Sequence, residues 1–148
     1  MAVALAACVP VPSGNQPSSR PLAIQHAANV EFDQLLTALR QQAGLGPLRH
    51  NAQLSQIAKA HAADMTARRF FSHTTPEGVG PMARAVGAGV TGCGIAENIA
   101  QGQKTTQAAF EAWRGSAPHR ANMLNPTMQS YGLGRDGVHW VMVAYRSC

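Results

Sequence analysis

The run Val138-His139-Trp140-Val141-Met142-Val143-Ala144-Tyr145 limits the fold of this chain more than any other segment. Its length and its valine and aromatic content read as a β-strand. It is apolar at alternate and intervening positions alike, so such a strand needs cover on both faces. Gln129–Gly134 reads as its partner, and Asp136-Gly137 between them is a two-residue hairpin signal. A third strand is expected at Ile95–Ala100, with Ile95, Glu97 and Ile99 on one face.

The cover comes from helices. Asn29 is a candidate cap for a helix from about Val30, with Phe32, Leu35, Leu36, Leu39 and Ala43 at helical spacing and Gly44 as its stop. Asn51 caps a second helix to about Phe70, whose stripe is Leu54, Ile57, Ala58, His61, Ala62 and Met65. A short turn of helix is expected at Met82–Val86. Thr105 or Thr106 caps a helix to about Gly115, and Pro118 opens a short one ending near Leu124. Helices on both sides of a small antiparallel sheet predict an α+β domain layered as an α-β-α sandwich.

Within 148 residues, 45% are hydrophobic and 13% charged, the balance of one globular domain. The net charge of +5 is scattered, with Arg68-Arg69 the one adjacent basic pair, and aromatics make up 5%. No basic stripe interleaved with aromatics is present, which argues against nucleic acid as a partner; a mildly basic surface favours anionic envelopes instead. The start, Leu5-Ala6-Ala7-Cys8, resembles a bacterial lipobox with Cys8 as the lipidated residue. The Pro- and Ser-rich stretch from Pro10 to Pro21 reads as a tether, so residues 1–29 are assigned to leader and tether and residues 30–148 to the domain. Met1–Ala7 has no positively charged start, and an unstructured leader is the alternative. Any membrane association is expected through the lipid alone, because no segment is long and apolar enough to span a bilayer. Cys93 and Cys148 then remain, to pair if the domain is exported or to stay as two buried thiols.

Several stretches, taken in order, resemble the CAP superfamily of cysteine-rich secretory, antigen and pathogenesis-related proteins, in its bacterial SCP-like branch. They are Leu45-Gly46-Pro47-Leu48, Ala63-Asp64-Met65, Phe70-Phe71-Ser72-His73-Thr74, Ala96-Glu97-Asn98-Ile99-Ala100, Trp113, Ser116 through Pro126, and Tyr131-Gly132-Leu133-Gly134. The resemblance implies the same three-layer sandwich, with a cleft of two histidines and two glutamates able to take a divalent metal such as zinc. Here the histidines are His73 and His119, the first glutamate is Glu97, and the second position holds Ser116. The tetrad is therefore incomplete. Glu111 does not replace it, because Ala109, Phe110 and Trp113 share one helix side and Glu111 points roughly opposite.

Two imidazoles suit zinc but leave its shell unfilled. Glu97, flanked by Ile95 and Ile99, needs a partner on burial, and His73 or His119 is the natural one. Three functions are open: a non-catalytic extracytoplasmic module holding a metal, a small ligand or a lipid-like envelope ligand; a metal-assisted hydrolase with Glu97 as general base; or a structural module whose His–Glu–His network is architectural. The lipid-like ligand rests on the resemblance. A monomer is expected. His61 reads as a packed core residue, His26 as part of the tether, His50 as loop and His139 as strand. A serine nucleophile at Ser72 or Ser116 lacks an orienting acid and an oxyanion hole.

Overall fold

A computed structural model describes residues 20–148. Cys8 and the leader lie outside the described residues. The element order is α1 (Arg20–Gln42), β1 (Arg49–His50), α2 (Ala52–Arg68), α3 (Pro81–Gly87), β2 (Gly94–Gln101), α4 (Thr106–Gly115), α5 (Ala117–Met123), β3 (Ser130–Asp136) and β4 (His139–Arg146). The strands form one sheet in the order β1-β3-β4-β2.

The doubly apolar strand is covered on both sides, as its sequence requires. On one face, Ile99, Val141 and Val143 pack with Leu54, Ile57, Ala58, Ala62 and Met65 of α2. On the other, Leu133, Trp140, Met142 and Ala144 pack with Phe32 and Leu36 of α1 and with Phe110 and Trp113 of α4. Phe32 meets Phe110 and Trp113 edge-on, with ring centroids 5.8 Å apart in both pairs, the arrangement favoured by the ring quadrupoles.

The sandwich is tightest where β3 has no side chain. A Cβ on Gly132 would lie 2.2 Å from the Leu54 carbonyl carbon and the Ser55 nitrogen, and one on Gly134 would lie 2.1 Å from the Lys59 nitrogen. The backbone of α2 therefore rests directly on β3. Asn51 caps α2 by accepting from the Leu54 N–H at 3.0 Å, and Thr105 caps α4 by accepting from the Ala108 N–H at 3.1 Å. Cys93 and Cys148 are bonded, with Cα atoms 4.9 Å apart. By loop-closure entropy a crosslink across 55 residues contributes about 4 kcal/mol.

Four local expectations are corrected. First, α1 begins at Arg20 instead of near Val30, so His26 is helical and Asn29 lies inside the helix, where its Oδ1 accepts from the Gln25 amide at 2.9 Å. Along this first stretch Ala23, His26, Ala27 and Val30 are exposed. Second, the sheet is mixed, because β1 runs parallel to β3, with Arg49 opposite Ser130 and His50 opposite Tyr131. Third, His50, expected in a loop, is therefore in a strand, and its Nε2 lies 2.9 Å from Ser55 Oγ. Fourth, Asp136 pairs with His139, so the hairpin turn is Gly137-Val138, one residue later than predicted. Gly137 takes φ +52° at the first loop position, the place where a two-residue turn can demand a left-handed residue.

Candidate functional site

The site forms at the β2 border of the sheet, and strand alternation assigns its side chains to opposite layers. Glu97 points toward α2 and α3, whereas Asn98 points toward α5. The Glu97 side chain is 2% exposed, and three neighbours surround it. Its Oε1 accepts from His73 Nδ1 at 2.9 Å. Its Oε2 accepts from Arg84 Nη2 at 2.6 Å. His61 Nε2 stands 4.0 Å from Oε1. An ionised carboxylate only accepts, so His73 carries a proton on Nδ1 and its Nε2 points away from the carboxylate. The His73 side chain is 48% exposed, and that nitrogen is available to a ligand.

Arg84 does more than neutralise Glu97. Its Nη1 donates to the carbonyls of His73 at 2.8 Å and Val79 at 2.9 Å, tying the His73 loop to the carboxylate. Arg68, oriented by Asp64 on the same helix, holds the same loop from outside through Glu77. That pairing pulls the Glu77 carboxyl down to about 2, chiefly through its hydrogen bond to Arg68. His61 lies beneath the site as a core residue, 1% exposed. Its Nε2 faces the Ser72 carbonyl at 2.9 Å, and burial holds its pKa below the ordinary value.

His119 approaches from the other layer. Asn98, itself 1% exposed, donates to the His119 carbonyl at 3.0 Å and accepts from Asn122 at 2.8 Å. These bonds fasten α5 to β2. The His119 ring makes no hydrogen bond to another described residue, and it does not contact Glu97. Burial first, and the nearby charge of His73 second, hold its pKa below the ordinary value. Ser116 is the junction between α4 and α5 and makes no side-chain cap. Glu111 faces outward and pairs with Arg114 at 2.6 Å.

The expected pair His73–Glu97 is thus in direct contact, while His119 stands on α5 in the opposite layer and forms no ion pair with the carboxylate. The sequence reading missed Arg84 and the closeness of His61. The available signal was a buried carboxylate in need of a full countercharge, for which only histidines were considered. The donor set fits a divalent cation in a limited way: two imidazoles from opposite layers and no free carboxylate. Among the described residues, no three His, Cys, Asp or Glu side chains gather to hold a metal ion.

The border strand is finished by side chains of the opposite layer. Trp113 Nε1 donates to the Ile99 carbonyl at 3.1 Å, and Asn122 Nδ2 donates to the Glu97 carbonyl at 3.3 Å. Between α1 and α4, Leu35, Ala38, Leu39 and Phe110, together with Gln42, Glu111 and Arg114, line a groove of about 220 Å³.

Comparison with known proteins agrees with this architecture. The family model described as the cysteine-rich secretory protein family, CAP, matches residues 34–138. The chain is 38% identical over 101 residues to YkwD of Bacillus subtilis, an uncharacterized protein, covering 68% of this chain and 39% of that one. It is 28% identical over 113 residues to YlbC, an uncharacterized membrane protein of the same organism, covering 76% of this chain and 33% of the relative. The chain thus spans between a third and two fifths of these relatives. Among solved structures, an extracellular protein containing an SCP domain from Bacillus anthracis superposes with a TM-score of 0.81 at 26% identity, covering 90% of this chain and 45% of that one. An outer surface protein of Borrelia burgdorferi shares the fold, with a TM-score of 0.76 at 19% identity over 91% of this chain and 99% of that one. With its three layers, its paired Cys93 and Cys148 and its His73–Glu97 contact, the chain belongs to the cysteine-rich secretory protein (CAP) family, as a domain of the bacterial SCP type.

Proposed function

We propose that this domain is an exported, non-catalytic binding module whose cleft holds a divalent cation, zinc in the first instance, through Nε2 of His73 and the ring of His119. The observation that carries this reading is the 2.9 Å bond from His73 Nδ1 to Glu97. A carboxylate on the far nitrogen of an imidazole is the arrangement that orients a histidine ligand and raises its basicity. Both Glu97 oxygens are engaged, so Glu97 acts on His73 and not on the metal. When bound, the cation would supply a Lewis-acid centre with positions open to a second ligand. A lipid-like partner is an expectation from the family resemblance alone. Export is supported by the Cys93–Cys148 bond, by the extracellular protein from Bacillus anthracis and by the lipobox-like Leu5–Cys8.

Two other readings draw on the same residues. A hydrolase needs Glu97 free to accept a proton from water, and its oxygens are already taken by Arg84 and His73. An architectural network is favoured by the burial of Glu97, and it predicts that ligand binding survives loss of either histidine. Zinc titration by calorimetry separates these readings. We expect one weak equivalent in the parent chain and at least tenfold weaker binding in His73→Ala and His119→Ala, with melting checked in parallel. Zinc affinity unchanged in both folded variants would overturn the proposal.

A further inference from the structure

We propose that the groove between the first half of α1 and the β1 margin of the sheet is a second binding site, and that it takes a short apolar peptide with free ends. The site lies at the opposite border of the sheet from the His73–Glu97 contact and does not depend on the proposed cation.

Three features meet there. The first is the hollow itself, about 570 Å³, with Val30, Pro47 and Leu48 among its walls. That volume is within the range of small-ligand sites, roughly 300–1,000 Å³. Val30 is 45% exposed, and Leu48, at 3%, belongs to the core.

The second is backbone. Arg49 N–H donates to the Gln129 carbonyl at 3.0 Å, and Asn51 N–H donates to the Tyr131 carbonyl at 2.8 Å. In a parallel ladder the residue between two such donors turns its own N–H and C=O the other way. His50 therefore points a donor and an acceptor away from β3, and His50 lines the groove. An extended peptide satisfies both groups with one residue, as when a strand is added to a sheet edge.

The third is charge. Asp33 and Arg49 also line the groove. Asp33 accepts from Tyr131 Oη at 3.0 Å through Oδ1, and among the described residues its Oδ2 has no partner. Arg49 is exposed, and its guanidinium makes no hydrogen bond to another described residue. Asp33 and Arg49 form no ion pair with each other or with any described residue. A carboxylate and a guanidinium that share a groove without meeting match a ligand with an ammonium at one end and a carboxylate at the other. Apolar walls, an outward amide donor and acceptor, and two opposite charges are together the chemistry of a short peptide.

The test is titration of the isotope-labelled full chain with the tripeptide Ala-Leu-Ala, about 10 Å long when extended, followed by backbone amide shifts. We expect saturable shifts centred on Val30, Asp33 and His50, and at least fivefold weaker binding once the peptide is N-acetylated or C-amidated. Methylating the leucine nitrogen, which removes the N–H offered to His50, is expected to weaken binding as much. Asp33→Asn keeps an oxygen for Tyr131 and should bind free and N-acetylated peptide alike. Arg49→Gln should bind free and C-amidated peptide alike. Circular dichroism confirms the fold of both variants, and the exposed Arg49 stands as the test if Asp33→Asn fails to fold. Equal binding of free and capped peptides to the parent chain overturns the inference, and so does a titration without saturable shifts. Shifts centred on His73 or His119 overturn it by placing the peptide in the cleft. Self-association that Arg49→Gln abolishes overturns it by giving the groove to a second copy. None of these results bears on zinc binding, so the two sites fail separately.

Discussion

Replacing Gly132 by alanine tests the packing on which the whole site stands. The added Cβ would fall 2.2 Å from two backbone atoms of α2, against roughly 3.4 Å or more for ordinary contact in a close-packed interior. Strand and helix would have to part by about 1 Å. The obstacle is backbone, so no rotamer change relieves it, and β3 is held by β1 and β4 on its two sides. Overpacking of this kind costs up to about 3 kcal/mol. For a domain of this size that corresponds to a fall of about 10 °C in Tm. A helix displaced by about 1 Å would also stretch the 2.9 Å contact between His61 and the Ser72 carbonyl, loosening the loop that presents His73. Scanning calorimetry on Gly132→Ala and Gly115→Ala measures the difference. Gly115 ends α4 with nothing within 4 Å of a Cβ, and alanine there is expected to be neutral or slightly stabilising. A Gly132→Ala melting point within about 2 °C of the parent would refute direct seating of α2 on β3.

Two further outcomes are expected. Because His61 is buried with a lowered pKa, the unfolded chain binds the proton more readily. Its contribution to stability is full above the ordinary value of 6.5 and is lost as pH falls below it. Denaturant titrations from pH 7.5 to 5 should show the parent losing more stability than His61→Gln, and parallel curves would overturn this assignment. For the lipobox-like start, Cys8→Ser in the full chain expressed in a bacterial host should move the protein from the membrane to the soluble fraction, and unchanged fractionation would sink the anchoring proposal.

The layers were legible because burial leaves a direct mark on residue type. Val138–Tyr145 is apolar on both faces, and a strand with that pattern has helices on both sides. Caps were legible for the same local reason: Asn51 and Thr105 accept from N–H groups three residues ahead. Pairing of Cys93 with Cys148 was one of the two outcomes that counting left open. What escaped depended on distances across the chain. Arg84 reaches Glu97 only because α3 turns it inward, and nothing in Pro81–Gly87 encodes that rotation except the single buried residue Ala85. β1 has two residues, too few for any periodicity. At the start of α1, Ala23, His26 and Ala27 are exposed, so burial left no mark on those positions for helical spacing to announce.

The side-chain finish on β2 has a consequence for how the sheet meets neighbouring molecules. Outward carbonyls at Glu97 and Ile99 would invite a foreign strand to extend the sheet, but an amide and an indole already occupy them. At the opposite margin the sheet stops after Arg49 and His50, both hydrophilic and exposed. At the Glu97 and Ile99 carbonyls a neighbouring strand finds no free acceptor, so the bonds that fasten α4 and α5 to the sheet also blunt its border.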